Sequence, residues 1–221
     1  MKNIKNIKII FLYLVILCSA FFPAYLGYQP EHARVGYIFT LGFALASYIP
    51  FLKGYARAGW IALASIILFG YSIESIGLLT CFPYGCFDYS EQLGIQLFGV
   101  VPLMLAFTWP PLVLWVWSYA KNYFWRWWKM WLAWAIGLVV IDLILDPIAV
   151  SMWLRSYVGW GFWFGVPLSN FIGRIMSGTL SMIILDYTIG NKYTKKLYTH
   201  GLRLTLTFFV WYIVRKTIIL S

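Results

Sequence analysis

The sequence predicts an all-α fold, a polytopic membrane helix bundle of about seven transmembrane helices that forms a single domain over residues 1–221. Two observations predict it. Hydrophobic residues make up 62% of the chain and charged residues only 11%, whereas soluble domains carry about 25% charged residues. The apolar residues also fall into runs of about 20, the length that crosses a bilayer as a helix.

The apolar runs give the predicted helices in chain order. The first run follows the basic segment MKNIKNIK, and we interpret it as a retained helix because it is longer than the hydrophobic region of a signal peptide. The fourth run is too long for one span and contains Pro102, Pro110 and Pro111, so we expect a kink or a break there. The predicted spans are 9–28, 35–52, 58–80, 92–119, 130–150, 165–185 and 200–220.

Lys and Arg are distributed unequally between the gaps that separate these runs. With a cytoplasmic N-terminus, the inner gaps hold eleven basic residues and the outer gaps hold four, Arg155 among them. Inner loops of membrane proteins are rich in Lys and Arg, so the sequence predicts a multi-pass protein of the cell membrane with its N-terminus in the cytoplasm. The net charge of +10 has this origin and does not indicate a nucleic-acid partner.

Polar side chains inside the predicted spans gather at one level. Glu74 lies near the outer end of the third span, and Asp142 and Asp146 share one face near the outer end of the fifth. Asn170 and Arg174 enter with the sixth span at the same level. Because a charge inside a bilayer is costly, such residues usually mark a functional site or a conduction path. Two structural roles stay open, namely a buried ion pair that fixes helix packing and interhelical hydrogen bonds from the amide.

The segment 81–91 is the predicted outer turn above this level. Asp88 is a further candidate for the site, and a solvated loop charge is the alternative. Cys81 and Cys86 flank the turn. A disulfide would require an oxidising side of the membrane, and two unpaired small hydrophobic side chains are the favoured interpretation. With only two histidines in the chain, a histidine-rich metal site is excluded.

Aromatic residues make up 21% of the chain, and two interpretations stay open for them. Trp and Tyr collect where a membrane meets water. Rings can also line a cavity for a long isoprenoid ligand. The residues concerned are Tyr84, Tyr89, Trp109, Trp153 and Trp163.

Two sequence blocks resemble the CruF-type hydratases, a family of membrane carotenoid biosynthesis proteins. ESIGLLTCFPYGCFDYSEQLG, followed by GVVPLMLAFTWPPL, resembles the family's Glu-bearing helix, its aromatic turn and the segment after it. DLILDPIAVSMW, with FGVPLSNFIG, resembles its Asp-x-x-x-Asp-Pro helix and its Asn-Phe-x-Gly segment. The match covers about 72–175. Arg174 stands where the family has Trp, which predicts an altered substrate fit or an added ion pair.

The resemblance implies a hydro-lyase, a carotenoid hydratase that adds water to the terminal double bond of an acyclic carotenoid and gives a tertiary alcohol. It implies no cofactor and no metal. The expected partners are a long-chain carotenoid, water, the bilayer and other membrane enzymes of carotenoid synthesis.

The candidate residues suit that chemistry. Glu74 is the predicted acid, because a carboxylic acid buried in an apolar site can stay protonated near neutral pH. Asp142 or Asp146, with Asn170, would position or deprotonate the water, and Asp88 completes the catalytic candidates. The substrate-binding candidates are Tyr84, Tyr89, Trp109, Trp153, Asn170 and Arg174.

Three other functions stay open. A proton-coupled or ion-conducting transporter could use the acids as a relay. A membrane prenyltransferase acting on isoprenoid precursors could use DLILD, although such enzymes need two acidic motifs for Mg²⁺ and a diphosphate and the sequence has one. A non-catalytic subunit or chaperone of a pigment complex is the third.

Overall fold

The structure of the protein is a computed structural model that describes residues 33–190 apart from 125 and 152. The chain divides into two compact units, residues 1–39 with 199–221 and residues 40–198. The described helices and strands belong to the second unit, except for the first residues of one helix. The predicted spans 9–28 and 200–220 lie outside the described residues, and the single domain over 1–221 stays a prediction.

Four helices make up most of the described residues, in agreement with a mostly helical fold. Three helical segments, Thr40–Thr80, Trp127–Ser151 and Leu168–Ile189, are long and apolar enough to cross a membrane. About seven spans stay a prediction. The helices are α1 (Ala33–Thr80), α2 (Leu105–Tyr123), α3 (Trp127–Ser151) and α4 (Leu168–Ile189).

The predicted spans correspond to these helices unevenly. α3 and α4 follow the spans 130–150 and 165–185 closely. The spans 35–52 and 58–80 are joined in α1, which is interrupted at Ala56 by non-helical dihedral angles (φ 47°, ψ −124°). That residue lies in the basic gap between the two apolar runs.

The predicted span 92–119 is not one helix. Turns, short strands and a 3₁₀ helix (Glu91–Leu93) occupy residues 81–104, and α2 begins only at Leu105. Pro110 and Pro111 follow in its second turn. The break expected from the prolines is therefore present, but it lies before the Pro110–Pro111 pair. α2, α3 and α4 pack against one another, and α2 buries Val113, Leu114, Trp117 and Ala120 in the core.

Four short strands, which the all-α prediction missed, lie in the connections between helices. β1 (Phe87–Tyr89) pairs antiparallel with β4 (Arg155–Tyr157), and Tyr89 lies opposite Arg155. β2 (Gln96–Leu97) pairs with β3 (Val101–Pro102). The β1–β4 strand pair joins the connection that follows α1 to the connection that follows α3. Aromatic residues at alternate positions favour a half-buried strand pair here. We call this side of the bundle, where α1 and α3 end and α2 and α4 begin, the strand end.

Cys81 and Cys86 form a disulfide at the strand end. The prediction of two unpaired cysteines was wrong because the intervening turn is tight. The Gly85 N–H donates to the Cys81 carbonyl at 2.8 Å, both residues have a positive φ, and the two Cα atoms lie 4.2 Å apart. The disulfide closes the turn directly before β1.

Candidate active site

Five ionisable side chains from four elements meet below the strand end. They are three carboxylates and two guanidinium groups, and their exposed fractions lie between 1% and 6%. Charged groups this deeply buried are rare unless they are paired. We call them the charge cluster: Glu74 of α1, Asp142 and Asp146 of α3, Arg155 of β4 and Arg174 of α4.

Arg174 links three helices through the charge cluster. Its Nη1 donates to Glu74 Oε1 at 2.7 Å, and its Nε lies 3.1 Å from Asp142 Oδ2. The guanidinium carbon also lies 4.9 Å from the ring centroid of Trp109 in α2. The ion pair expected between Arg174 and one of the aspartates is thus made with Asp142, and Glu74 shares the same arginine.

Arg155 is the second cation, although the distribution of basic residues predicts an outer loop charge at this position. Its Nη2 lies 3.6 Å from Glu74 Oε2 and its Nη1 lies 3.6 Å from Asp146 Oδ1. One signal could have indicated such a residue. Three buried carboxylates with only Arg174 would leave two uncompensated negative charges, which is strongly unfavourable in the interior.

Aromatic rings surround the Arg155 guanidinium on the strand side. Cations lie favourably over ring faces at up to about 6 Å from the centroid. The guanidinium carbon lies 3.8 Å from the ring centroid of Phe87, 4.9 Å from that of Tyr157, 5.3 Å from that of Tyr89 and 6.0 Å from that of Tyr84. Because three of these rings belong to β1 and β4, the strand pair fixes the position of the arginine.

Tyr89 and Asn170 complete the hydrogen bonds to the carboxylates. The Tyr89 hydroxyl donates to Glu74 Oε2 at 2.9 Å, and the Asn170 amide nitrogen donates to Asp146 Oδ2. Burial raises the pKa of Tyr89 well above its usual range, so the phenol keeps the proton that it donates. Both residues were predicted members of the site, and the structure brings both to the charge cluster.

Tyr84 is fully buried between two helices beside the charge cluster. Its ring fits there because both helices have glycine at the contact. A Cβ at Gly77 would lie 2.8 Å from Tyr84 Cδ2, and a Cβ at Gly173 would lie 2.6 Å from Tyr84 Cδ1. Burial raises the pKa of Tyr84 to about 12, so its hydroxyl stays neutral. Tyr84 is a core residue next to Arg174, 4.6 Å from its guanidinium carbon.

A cavity of about 300 Å³ opens next to the charge cluster. Its polar wall is formed by Asp142, Asp146, Arg155, Arg174 and Tyr89. Glu74 lies behind this wall and is not among the lining residues. The rest of the wall is largely apolar, with Pro102, Met104, Leu105, Trp109, Leu112, Leu145 and Leu154.

Three predicted residues take other positions. Asp88 is exposed on β1, on the side opposite to the buried Phe87, because successive strand residues point to opposite faces. The side chain of Trp153 is 78% exposed and does not line the cavity. Trp163 is 41% exposed, and its Nε1 donates to the Leu143 carbonyl at 2.9 Å. Of the predicted tryptophans, Trp109 is the one that lines the cavity.

Comparisons with known proteins relate the chain to a protein family and to one named relative. The sequence model of a family described as carotenoid biosynthesis proteins matches residues 35–221. A bisanhydrobacterioruberin hydratase of Haloarcula japonica is 34% identical over 142 residues, which cover 59% of this chain and 45% of the relative. The chain therefore spans less than half the length of that relative. No solved structure matches the chain.

Proposed function

The chain belongs to the carotenoid biosynthesis protein family, and we propose that it is a carotenoid hydratase that adds water across the terminal C=C bond of an acyclic carotenoid. The cavity is the observation that carries the proposal. Its apolar wall suits a hydrocarbon end group, and its polar wall offers the carboxyl groups of Asp142 and Asp146. The name of the relative, a hydratase, supports the same reaction.

The proposed reaction needs a proton and a water molecule. An acid of the polar wall delivers its proton to the less substituted carbon of the terminal double bond. The other carbon becomes a tertiary cation, which the rings of Trp109 and Tyr89 would stabilise by up to about 2 kcal/mol each in a desolvated site. Water then forms the C–O bond and returns a proton to the carboxylate. The product is a tertiary alcohol, and the acid is regenerated.

The charge balance supports an acid within the cluster. Three carboxylates face two guanidinium groups, so one proton shared by the carboxylates makes the buried cluster neutral. Asp142 and Asp146 line the cavity, whereas Glu74 lies behind it with Oε1 bonded to Arg174 and Oε2 bonded to Tyr89. We therefore assign the proton donor to Asp142 or Asp146. Glu74, the acid that the sequence predicts, would position Arg174 and Tyr89.

Expression in a host that makes lycopene or its elongated derivatives tests the proposal. We expect pigments whose masses increase by one or two water molecules and change in no other way. Asp142→Asn or Asp146→Asn should abolish this increase at normal membrane yield, and Glu74→Gln should mainly lower the yield. Unchanged pigments from the wild-type chain at normal yield would refute the hydratase. If Glu74→Gln is the only one of these variants that loses hydration, and its membrane yield is normal, Glu74 is the proton donor.

We further propose that the strand end faces the outside of the cell membrane and that the N-terminus is cytoplasmic. The disulfide supports this orientation, because disulfides persist on oxidising sides of membranes. No specific observation favours the alternative functions. For the prenyltransferase in particular, Asp142 and Asp146 already have Arg174 and Arg155 as cationic partners.

A further inference from the structure

We propose that Gly70 of α1 is a positioning residue that sets the width of the cavity through Trp109. Because Gly70 has no side chain, the Trp109 ring can lie against α1 instead of further inside the cavity. The ligand that this width serves, the hydrocarbon end of a carotenoid, rests on the proposed function. The contact between Gly70 and Trp109 rests on the packing of the two helices alone.

The first observation is the close approach of the Trp109 ring to α1. A Cβ at Gly70 would lie 3.1 Å from Trp109 Cδ1 and 3.7 Å from Nε1. The shorter distance is below the optimal separation of about 3.5–4.0 Å between carbon atoms. Trp109 lines the cavity, whereas none of the described residues of α1 does. The ring therefore lies between α1 and the cavity, and a side chain at position 70 would push it toward the cavity.

The second observation is that Gly70 shares a helix face with the charge cluster. Gly70 and Glu74 are four residues apart, which places them on one face of α1, and both are buried. Glu74 accepts a hydrogen bond from Arg174, and the Arg174 guanidinium carbon lies 4.9 Å from the Trp109 ring centroid. The Trp109 ring thus contacts α1 and Arg174 at once, so its position affects both the apolar and the polar wall of the cavity.

Hydrogen bonds from α1 hold the beginning of α2 in place. Pro110 has no N–H to donate to the Ala106 carbonyl, and the Tyr48 hydroxyl donates to this carbonyl instead. The Tyr71 hydroxyl donates to the Leu103 carbonyl at 2.6 Å. Separating the two helices to make room for a larger residue at position 70 would break these bonds. The side chain of the tryptophan, rather than the helix that carries it, is therefore the part that yields.

The cavity is small for the ligand that we propose. Its volume of about 300 Å³ lies at the lower end of the range for ligand pockets, so it suits the end group of a carotenoid and not the whole chain. A Cβ at Gly70 would force its neighbour to shift by a few tenths of an ångström. In a closely packed site such a shift replaces favourable contacts with overlap, so we expect the end group to fit less well.

Binding of lycopene to the purified full-length chain tests this role without requiring catalysis. The protein is immobilised in detergent, and the absorbance of free and retained lycopene gives the affinity. Gly70→Ala should weaken binding about fivefold, since overpacking costs an amount of that order. Because Ala favours a helix over Gly, we expect the unfolding midpoint to change little. A loss of affinity at unchanged stability separates poor fit from poor folding.

Two further variants assign the loss to the contact with Trp109. Gly59→Ala is the matched control in α1, because its Cβ would lie 3.2 Å from Tyr55 Cβ and Tyr55 does not line the cavity. This variant should bind lycopene as the wild type does. Trp109→Phe removes the five-membered ring that meets the new Cβ at Gly70. In a Trp109→Phe chain, Gly70→Ala should therefore change lycopene binding by about twofold or less.

Three results would overturn the role of Gly70. The first is a Gly70→Ala variant that binds lycopene as tightly as the wild type. The second is an equal loss in Gly59→Ala, or an undiminished loss in the Trp109→Phe chain, because the effect would then not pass through Trp109. The third is a wild type that does not bind lycopene. A wild type and variants that show the expected binding, but form no hydrated pigment, would refute the hydratase and leave the role of Gly70 in place.

Discussion

The ion pairs at the two ends of the helix bundle differ in burial: those at the strand end are buried, and the pair at the other end is partly exposed. At the strand end, the charge cluster buries five charged side chains beside a cavity. Near the other ends of α2 and α4, Lys121 pairs with Asp186, and these side chains are 19% and 37% exposed. An exposed pair is easily formed and contributes about 0–1 kcal/mol. Burying charged groups costs hydration free energy, which ion pairing offsets only when the geometry is good. Stability alone is therefore a weak reason for such a cluster, which supports the proposed function.

Loss of Arg174 should have the largest effect. Arg174→Met leaves Glu74 and Asp142 buried without their shared cation, and removing one partner of a buried pair costs about 3–5 kcal/mol. We expect a lower membrane yield and a lower unfolding midpoint of the purified protein. Arg174→Met combined with Glu74→Gln should recover part of the loss, because one negative charge is removed as well. A single Arg174→Met variant as stable as the wild type would contradict a cluster held together by charge pairing.

Gly173→Ala should be the next most damaging change. The new Cβ would lie 2.6 Å from Tyr84 Cδ1 and 2.9 Å from the Pro83 carbonyl oxygen, and overpacking of this kind costs about 1–3 kcal/mol. Thermal unfolding in detergent measures the loss, and hydration should fall with it since Tyr84 contacts Arg174. The control is Gly42→Ala in α1, where nothing lies within 4 Å of the new Cβ. It should be neutral or slightly stabilising. Equal effects of the two substitutions would show that Tyr84 is not wedged between the helices.

Cys81→Ser should have an intermediate effect at the same end. It breaks the disulfide with Cys86, and losing a cross-link that closes so short a loop lowers the free energy of unfolding by about 2 kcal/mol. It also frees the Cys86 thiol, which is exposed. An impermeant thiol reagent should label Cys86 in intact cells, because we place this end outside. Labelling only after the membrane has been broken would reverse the orientation of the protein.

Lys121→Ala, at the opposite end, should have the smallest effect. The pair with Asp186 is partly exposed, so we expect a loss of about 0–1 kcal/mol that decreases further as salt is added. A double-mutant cycle with Asp186→Asn measures the coupling directly. A coupling as large as the loss in Arg174→Met would remove the contrast between the two ends.

The sequence predicts most of the charge cluster for a physical reason. Acids inside apolar runs are rare enough to be noticed, and the helix period places Asp142 and Asp146 on one face. The long helices α3 and α4 can be predicted as well, because each corresponds to an apolar run of about 20 residues. Glu74, Asn170 and Arg174 also lie together as the common level predicts.

Arg155 and the strands could not be predicted in the same way. β1 and β4 have three residues each, too few to show a two-residue period. Their pairing joins two connections that lie far apart in the chain, and only this pairing turns Arg155 from a loop charge into a buried one. The cavity wall includes Arg155, whose position depends on the pairing of β1 with β4. The sequence therefore predicts the acids and Arg174 of the polar wall but not Arg155.

The unequal charge of the cluster limits the order in which its residues can be exchanged during evolution. Loss of Arg174 with Glu74, Asp142 and Asp146 retained would leave three buried carboxylates with Arg155 as their cation, an excess of two negative charges when all three are ionised. If one acid is lost first, two carboxylates remain with two guanidinium groups, and the later loss of Arg174 leaves an excess of only one.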